Sequence, residues 1–259
     1  MSVELVGNIE KDITIWRYMS LDKFIHLLDT QTLFFTCLDS YSKSDPFEGY
    51  PPMAVLQVIH DRIPEFNSNL DQNYATRNPT YFKSLFNTLF KQPSVNCWHA
   101  NDRESEAMWK IYGDNQKGIA IKTTVENLMN SIETSERIRI GKVSYTDYEN
   151  PEIADLMDSI NSGFGPLIKR KSYSHENEIR AFFRPLGAKV TDTEFKSHSI
   201  KIDTKILIQE ILISPFSQEP YGSAVKAIAK QFNIEHKVKH SKLLETTDGL
   251  FSFLPTDIT

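Results

Sequence analysis

Between Ile13 and Cys37 the chain fits a strand, a helix and a second strand into about 25 residues, and this economy constrains the fold most. Ile13–Tyr18 is rich in β-formers and runs into Ser20, a good helix N-cap, with Asp22 suited to the first turn. Leu21, Phe24, Ile25 and Leu28 then recur at the spacing of one helical face, and Leu33–Cys37 returns to strand. Elements this short must lie on a larger sheet to bury their apolar sides.

The rest of the chain supplies such a sheet. Val95–His99, Gly118–Thr123 and Ile138–Tyr145 read as strands, as do Glu176–Phe183, Ile200–Asp203, Ile206–Ile213 and His236–His240. Helices are predicted over Met108–Tyr112, capped by Asp102 and stopped by Gly113, and over Val125–Ile132, Ile153–Ile160 and Tyr221–Phe232. Scattered strands with short helices between several of them give an α+β class: a mixed, mainly antiparallel sheet with peripheral helices. Asp39–Pro52 is a loop by composition. Two helix-like stretches between Met53 and Phe90 flank a polar segment, Asn67–Pro79. The stripe Tyr81, Phe82, Leu85, Phe86, Leu89 and Phe90 has helical spacing and reads as core packing. With no linker or repeat, residues 1–259 read as one domain with a helical insertion at about 50–92.

Composition narrows the setting. Sixteen Phe, ten Tyr and three Trp promise an aromatic-rich interior and argue against disorder. No run approaches the roughly 20 apolar residues of a membrane span, and Met1–Lys11 lacks the pattern of a signal peptide, so no membrane partner is expected. Only two cysteines, Cys37 and Cys97, point to a reducing cytoplasm. A formal charge of −5 disfavours the whole surface as a nucleic-acid binder. It leaves two local basic patches: Lys169–Lys171, and Lys237 with Lys239, His240 and Lys242.

Four constellations can carry chemistry. In Glu176–Phe183, alternation puts Glu176, Glu178 and Arg180 on one strand face, either as a solvent-facing edge with an ion pair or as a functional acid pair. Arg17 lies between Trp16 and Tyr18 and can clamp a phosphate or carboxylate. Asp45-Pro46-Phe47-Glu48-Gly49 reads as a turn with solvated acids. Asn96–Asp102 holds Cys97 and His99, but no second Cys or His stands at zinc-ligand spacing, so no metal site is assigned. Trp98, Trp109 and Tyr112 read as core or as walls of an aromatic pocket. Glycine-rich phosphate loops, GxSxG and HExxH are absent.

Taken in order, Trp16–Leu21, Asp45–Glu48, Cys97–Gly113, Gly118–Ile121 and Tyr173–Arg180 resemble a domain-of-unknown-function family of uncharacterised bacterial cytoplasmic proteins. More distantly, Arg17 on an early strand and a late Glu-x-Glu strand resemble the ADP-ribosyltransferase superfamily. No Ser-Thr-Ser stretch is present, and Asn96–His99 stands as the middle strand instead. That likeness implies NAD as substrate, with Glu178 and Glu176 as catalytic residues. Arg17, Tyr18, Trp98, Lys171, Tyr173 and Arg180 would bind the nucleotide. The acceptor would be a protein, a nucleic acid or water, and the setting a bacterial defence or toxin system. Two alternatives compete: a nucleotide-sensing or partner-binding subunit without turnover, and a metal-dependent nuclease using Asp45, Glu48, Asp102 and Glu104.

Overall fold

A computed structural model describes residues 3–66, 78–113, 117–185 and 194–245. The polar segment expected between the two helices of 53–90 lies, over 67–77, outside the described residues. In chain order the strands are β1 Val3–Leu5, β2 Thr14–Ser20, β3 Thr32–Cys37, β4 Ser94–Ala100, β5 Gly118–Thr124, β6 Ile132–Glu133 and β7 Ile138–Lys142. They continue with β8 Ser144–Thr146, β9 Ile168–Arg170, β10 Glu178–Phe183, β11 His198–Ile202, β12 Glu210–Ile213 and β13 Val238–His240. The helices are α1 Leu21–Thr30, α2 Met53–Phe66, α3 Pro79–Phe90, α4 Glu106–Tyr112, α5 Val125–Ser131, α6 Ile153–Asn161, α7 Thr204–Leu207 and α8 Tyr221–Gln231.

The main sheet runs β1-β7-β10-β4-β2-β5-β12-β13, with β3 also paired to β4 and continued through β11 to β6. Its pairings are antiparallel except β1–β7 and β12–β13, while β8 and β9 form a small parallel pair. The α+β class with a mainly antiparallel sheet and peripheral helices is therefore what the chain adopts.

Alternation along β2 and β5 sorts the core. Ile15, Met19, Ile119 and Ile121 belong to the largest apolar cluster, with Phe24 and Leu28 of α1, Leu128 of α5 and Val225 of α8. Trp16, Tyr18 and Ala120 pack instead with Met108 and Trp109 of α4. The α3 stripe is core as expected, with Phe86 and Phe90 buried against Tyr50, Leu56 and Ile160. Gly49 makes the turn before α2 possible. Its φ is +84°, and a Cβ there would lie 2.4 Å from the Phe90 carbonyl oxygen.

Several local expectations are corrected. Ile206–Ile213 is not one strand, because the Asp203 side chain accepts hydrogen bonds from the Lys205 and Ile206 N–H groups and starts α7. The α4 cap is Ser105 rather than Asp102. Ile138–Tyr145 divides between two sheets as β7 and β8. The last strand expected at His236–His240 begins at Val238, after a 3-10 turn. Glu176 closes a 3-10 turn over Lys171–Glu176, and β10 starts only at Glu178, after Asn177 at φ 39°.

Candidate functional site

The sheet opens at its centre. β2 pairs with β4 only at Ile15↔Ala100 and Trp16↔His99, and then continues along β5 alone. On the same edge of β4, β3 pairs at Thr36↔Val95 and Cys37↔Ser94. The edge of β4 at Asn96–Trp98 is thus covered by neither ladder, and Asn96 Nδ2 spans part of the opening to the Phe34 carbonyl. A cavity of about 880 Å³ lies at this split. Alternation puts Arg17 on the face of Ile15 and Met19, and Glu178 on the face of His99 and Trp16. The split lets both line the same cavity.

One end is a buried charge cluster. Lys169 on β9 donates to Glu178 Oε1 at 2.7 Å, lies 3.3 Å from Glu48 Oε2, and makes a close ion pair with Glu176. Arg180 on β10 embraces Glu178, with Nε to Oε2 at 2.7 Å and Nη2 to Oε1 at 3.1 Å. Its Nη1 donates to Glu48 Oε1 and to the Pro166 carbonyl, both at 2.8 Å. None of these five side chains belongs to a residue more than 8% exposed, so water does little to screen them. Tyr112 completes the cluster by donating its hydroxyl to Glu176 Oε1 at 3.0 Å. The edge-strand reading is overturned, since β10 lies between β7 and β4 and every one of its residues is buried.

The two acids of the motif titrate in opposite directions. Burial pushes the Glu176 carboxyl up to about 7, reinforced by the neighbouring Glu178 carboxylate. Glu178 pays a burial cost too, yet Arg180 and Lys169 hold its carboxyl well below the ordinary range. Glu48 is lowered as well, burial being outweighed by Arg180 and Lys169. Burial raises the Cys97 thiol well above its ordinary range. His99 Nδ1–H donates to the Glu176 carbonyl at 2.7 Å, which directs Nε2 toward Asn101.

The other end is built around Arg17. Its guanidinium carbon lies 5.7 Å from the centre of the Trp98 ring, and no ion pair among the described residues reaches it. Its Nη1 is buried without a hydrogen-bond partner. Burial lowers the guanidinium's pKa, while Cys97 and Tyr41 act the other way. Trp98 is fixed by its own Nε1–H, which donates to Asn96 Oδ1 at 2.7 Å.

Of the residues singled out in the sequence, Arg17, Tyr18, Trp98, Tyr173, Glu176, Glu178 and Arg180 all line the cavity. Tyr18 accepts from the Ser105 N–H at 2.8 Å, and the Tyr173 ring lies 4.8 Å from Lys169 Nζ. Lys171 is exposed and does not line the cavity; the cation of that run facing the acids is Lys169. Asp45 and Glu48 are buried rather than solvated, Asp45 pairing with Arg170 at 2.5 Å. Asp102 and Glu104 are not in the lining, and Glu104 accepts from Trp109 and Ser241 instead. In the second basic patch Lys239 pairs with Glu210, Lys242 with Glu245, and Lys237 donates to the carbonyls of Lys205 and Ile208.

Sequence reasoning missed Lys169, Glu48, His99 and Tyr112 as a set. Each stands out singly, Lys169 in a basic patch, Glu48 in an acidic turn, His99 beside Cys97 and Tyr112 as an aromatic wall, but nothing in the sequence joins them. Among the described residues no group of three or more His, Cys, Asp or Glu can hold a metal ion, and no helix is long and apolar enough to cross a membrane.

The segment carrying the acids also carries the family signal. Residues 108–181 match the family model described as "Protein of unknown function (DUF2971)". This span includes Tyr112, Lys169, Glu176, Glu178 and Arg180, whereas Arg17, Glu48 and Trp98 lie before it. No curated protein and no solved structure matches the chain.

Proposed function

We propose that the cavity binds NAD and breaks its nicotinamide–ribose bond, passing ADP-ribose to an acceptor or to water. One observation carries this reading: Arg17, with a buried and unpartnered nitrogen, lines the same cavity as the carboxyl pair Glu176 and Glu178. A guanidinium without an acid suits a phosphate, which accepts its planar fork in two bonds. Trp98, Tyr18 and Tyr173 offer flat surfaces for rings.

Bond cleavage at the ribose builds positive charge on the sugar, which a fixed carboxylate stabilises. Glu178 is kept ionised for that task by Lys169 and Arg180. Glu176, with its carboxyl raised to about 7, can take or give a proton near neutral pH. A second reading, a nucleotide sensor without turnover, is favoured by one feature: both Glu178 oxygens are already engaged by cations, which balances the charge.

Nicotinamide release by the purified protein, beside a Glu178→Gln variant, separates the two. Release that disappears in the variant supports cleavage. NAD binding without release supports the sensor. Neither binding nor release would remove NAD from the account.

A further inference from the structure

The buried cluster sets three carboxylates, Glu48, Glu176 and Glu178, against two cations, Lys169 and Arg180. With all five ionised it would carry one net negative charge in a place where an unbalanced charge is costly. One proton on a carboxyl restores neutrality. Geometry singles out Glu176 as its holder, because Arg180 bonds to Glu48 and Glu178 but not to Glu176. Glu176 also lines the cavity, where a ligand can meet it. At the other end Arg17 presents a positive charge with no acid of its own. The cavity therefore has a place for an anion near Arg17, and its acid cluster becomes more stable in the ionised state beside a fixed cation.

Resting on the NAD reading above, we propose that the cavity selects the oxidised, cationic nicotinamide over the reduced, uncharged ring, and that seating the pyridinium beside Glu176 expels a proton from the cluster. The carboxyl O–H bond of Glu176 breaks, its electron pair stays on the carboxylate, the proton passes to solvent, and no other bond changes. The pyridinium takes over the neutralising role that the proton had. The groups facing Glu176 are Lys169 from β9, Glu178 from β10 and Tyr112 from α4, while Arg180 reaches it only through Glu178. Glu48 approaches through Lys169, Tyr145 from β8 lies close enough to feel the Glu176 charge, and His99 from β4 holds its main-chain carbonyl. Tyr173 and His175 share its turn. Of these acids, Glu48 and Glu178 are each tied to both cations, which leaves Glu176 as the group that changes charge.

The test uses carba-NAD, whose ribose–base link resists cleavage, and its reduced form. Calorimetry in two buffers of different ionisation heat counts the protons exchanged. The oxidised form is expected to bind about tenfold or more tightly than the reduced form. Close to one proton per site should be released at about pH 6, and almost none above about pH 8. A Glu176→Gln variant should release none. Equal affinities for the two forms, or no proton released by the wild-type protein at about pH 6, would overturn this inference while leaving the NAD site standing. Proton release that persists in Glu176→Gln would also overturn it. If neither form binds, the NAD reading itself fails and this inference falls with it.

Discussion

Two arginines line one cavity and lead opposite lives. Arg180 donates four hydrogen bonds, three to Glu178 and Glu48 and one to the Pro166 carbonyl, and its residue is only 1% exposed. Arg17, across the sheet split, has a buried nitrogen with no partner and an indole ring as its nearest cation–π neighbour. A buried charge that is fully bonded organises its surroundings, and removing it strands its partners. A buried charge left unbonded costs stability and is expected where a ligand completes it. The same side chain is thus framework at one end of the cavity and left without a partner at the other.

Substitutions at either end test this difference. The largest effect is expected from Arg180→Met, which leaves Glu178 and Glu48 without their shared cation. Unfolding in denaturant should show a loss of about 3–5 kcal/mol. Next comes the pH dependence of Glu176. Its folded carboxyl is raised from the ordinary 4.5 to about 7, so the folded chain holds the proton more tightly than the unfolded one. That contribution is complete below about pH 4.5 and is lost as pH rises toward 7, an effect of about 1–3 kcal/mol. Glu178 and Glu48 are lowered, and their contribution is lost as pH falls below the ordinary carboxyl range. Stability measured across pH for wild type and Glu176→Gln should therefore diverge between about pH 4.5 and 7. A parallel pair of curves would place the shared proton elsewhere.

A smaller effect is expected from Tyr112→Phe, which removes the hydroxyl donated to Glu176 Oε1. The loss should be about 1 kcal/mol near pH 7, where the donor favours the ionised acid, and less near pH 5. Smallest of all is Arg17→Met. With no bond to lose and a desolvation cost removed, stability should stay within about 1 kcal/mol of wild type, or rise.

The framework was largely legible in the sequence because it rests on local periodicity. Phe24 and Leu28 fall on the buried face of α1, and the α3 aromatics pack as core, although Ile25, counted on the same face, is 38% exposed. Misreadings occurred where a polar side chain overruled hydrophobic pattern. Asp203 starts a helical turn inside an apolar run, and Ser105 rather than Asp102 caps α4. Asn177 at positive φ ends a turn where alternation had put a strand, which separates Glu176 from β10 while keeping it close to Glu178.

The site was half legible. Arg17, Glu176 and Glu178 stood out by type and spacing. Their roles depend on contacts that no local window contains, such as Arg180 with Glu48, 132 residues apart. Glu48 looked like one more acid in a polar turn. Only the tertiary fold brings Lys169 and Arg180 to it and makes it part of a buried cluster.

The most direct test of the central claim is ADP-ribose binding to wild type and Arg17→Met, measured by calorimetry on proteins shown to unfold alike. ADP-ribose carries the two phosphates and lacks nicotinamide and the reactive bond, so it probes the Arg17 contact without cleavage. The account predicts at least about tenfold weaker binding to Arg17→Met, with stability unchanged or slightly higher. Equal affinity of the two proteins would contradict it, and would leave Arg17 as an unpaired cation with no ligand to explain it.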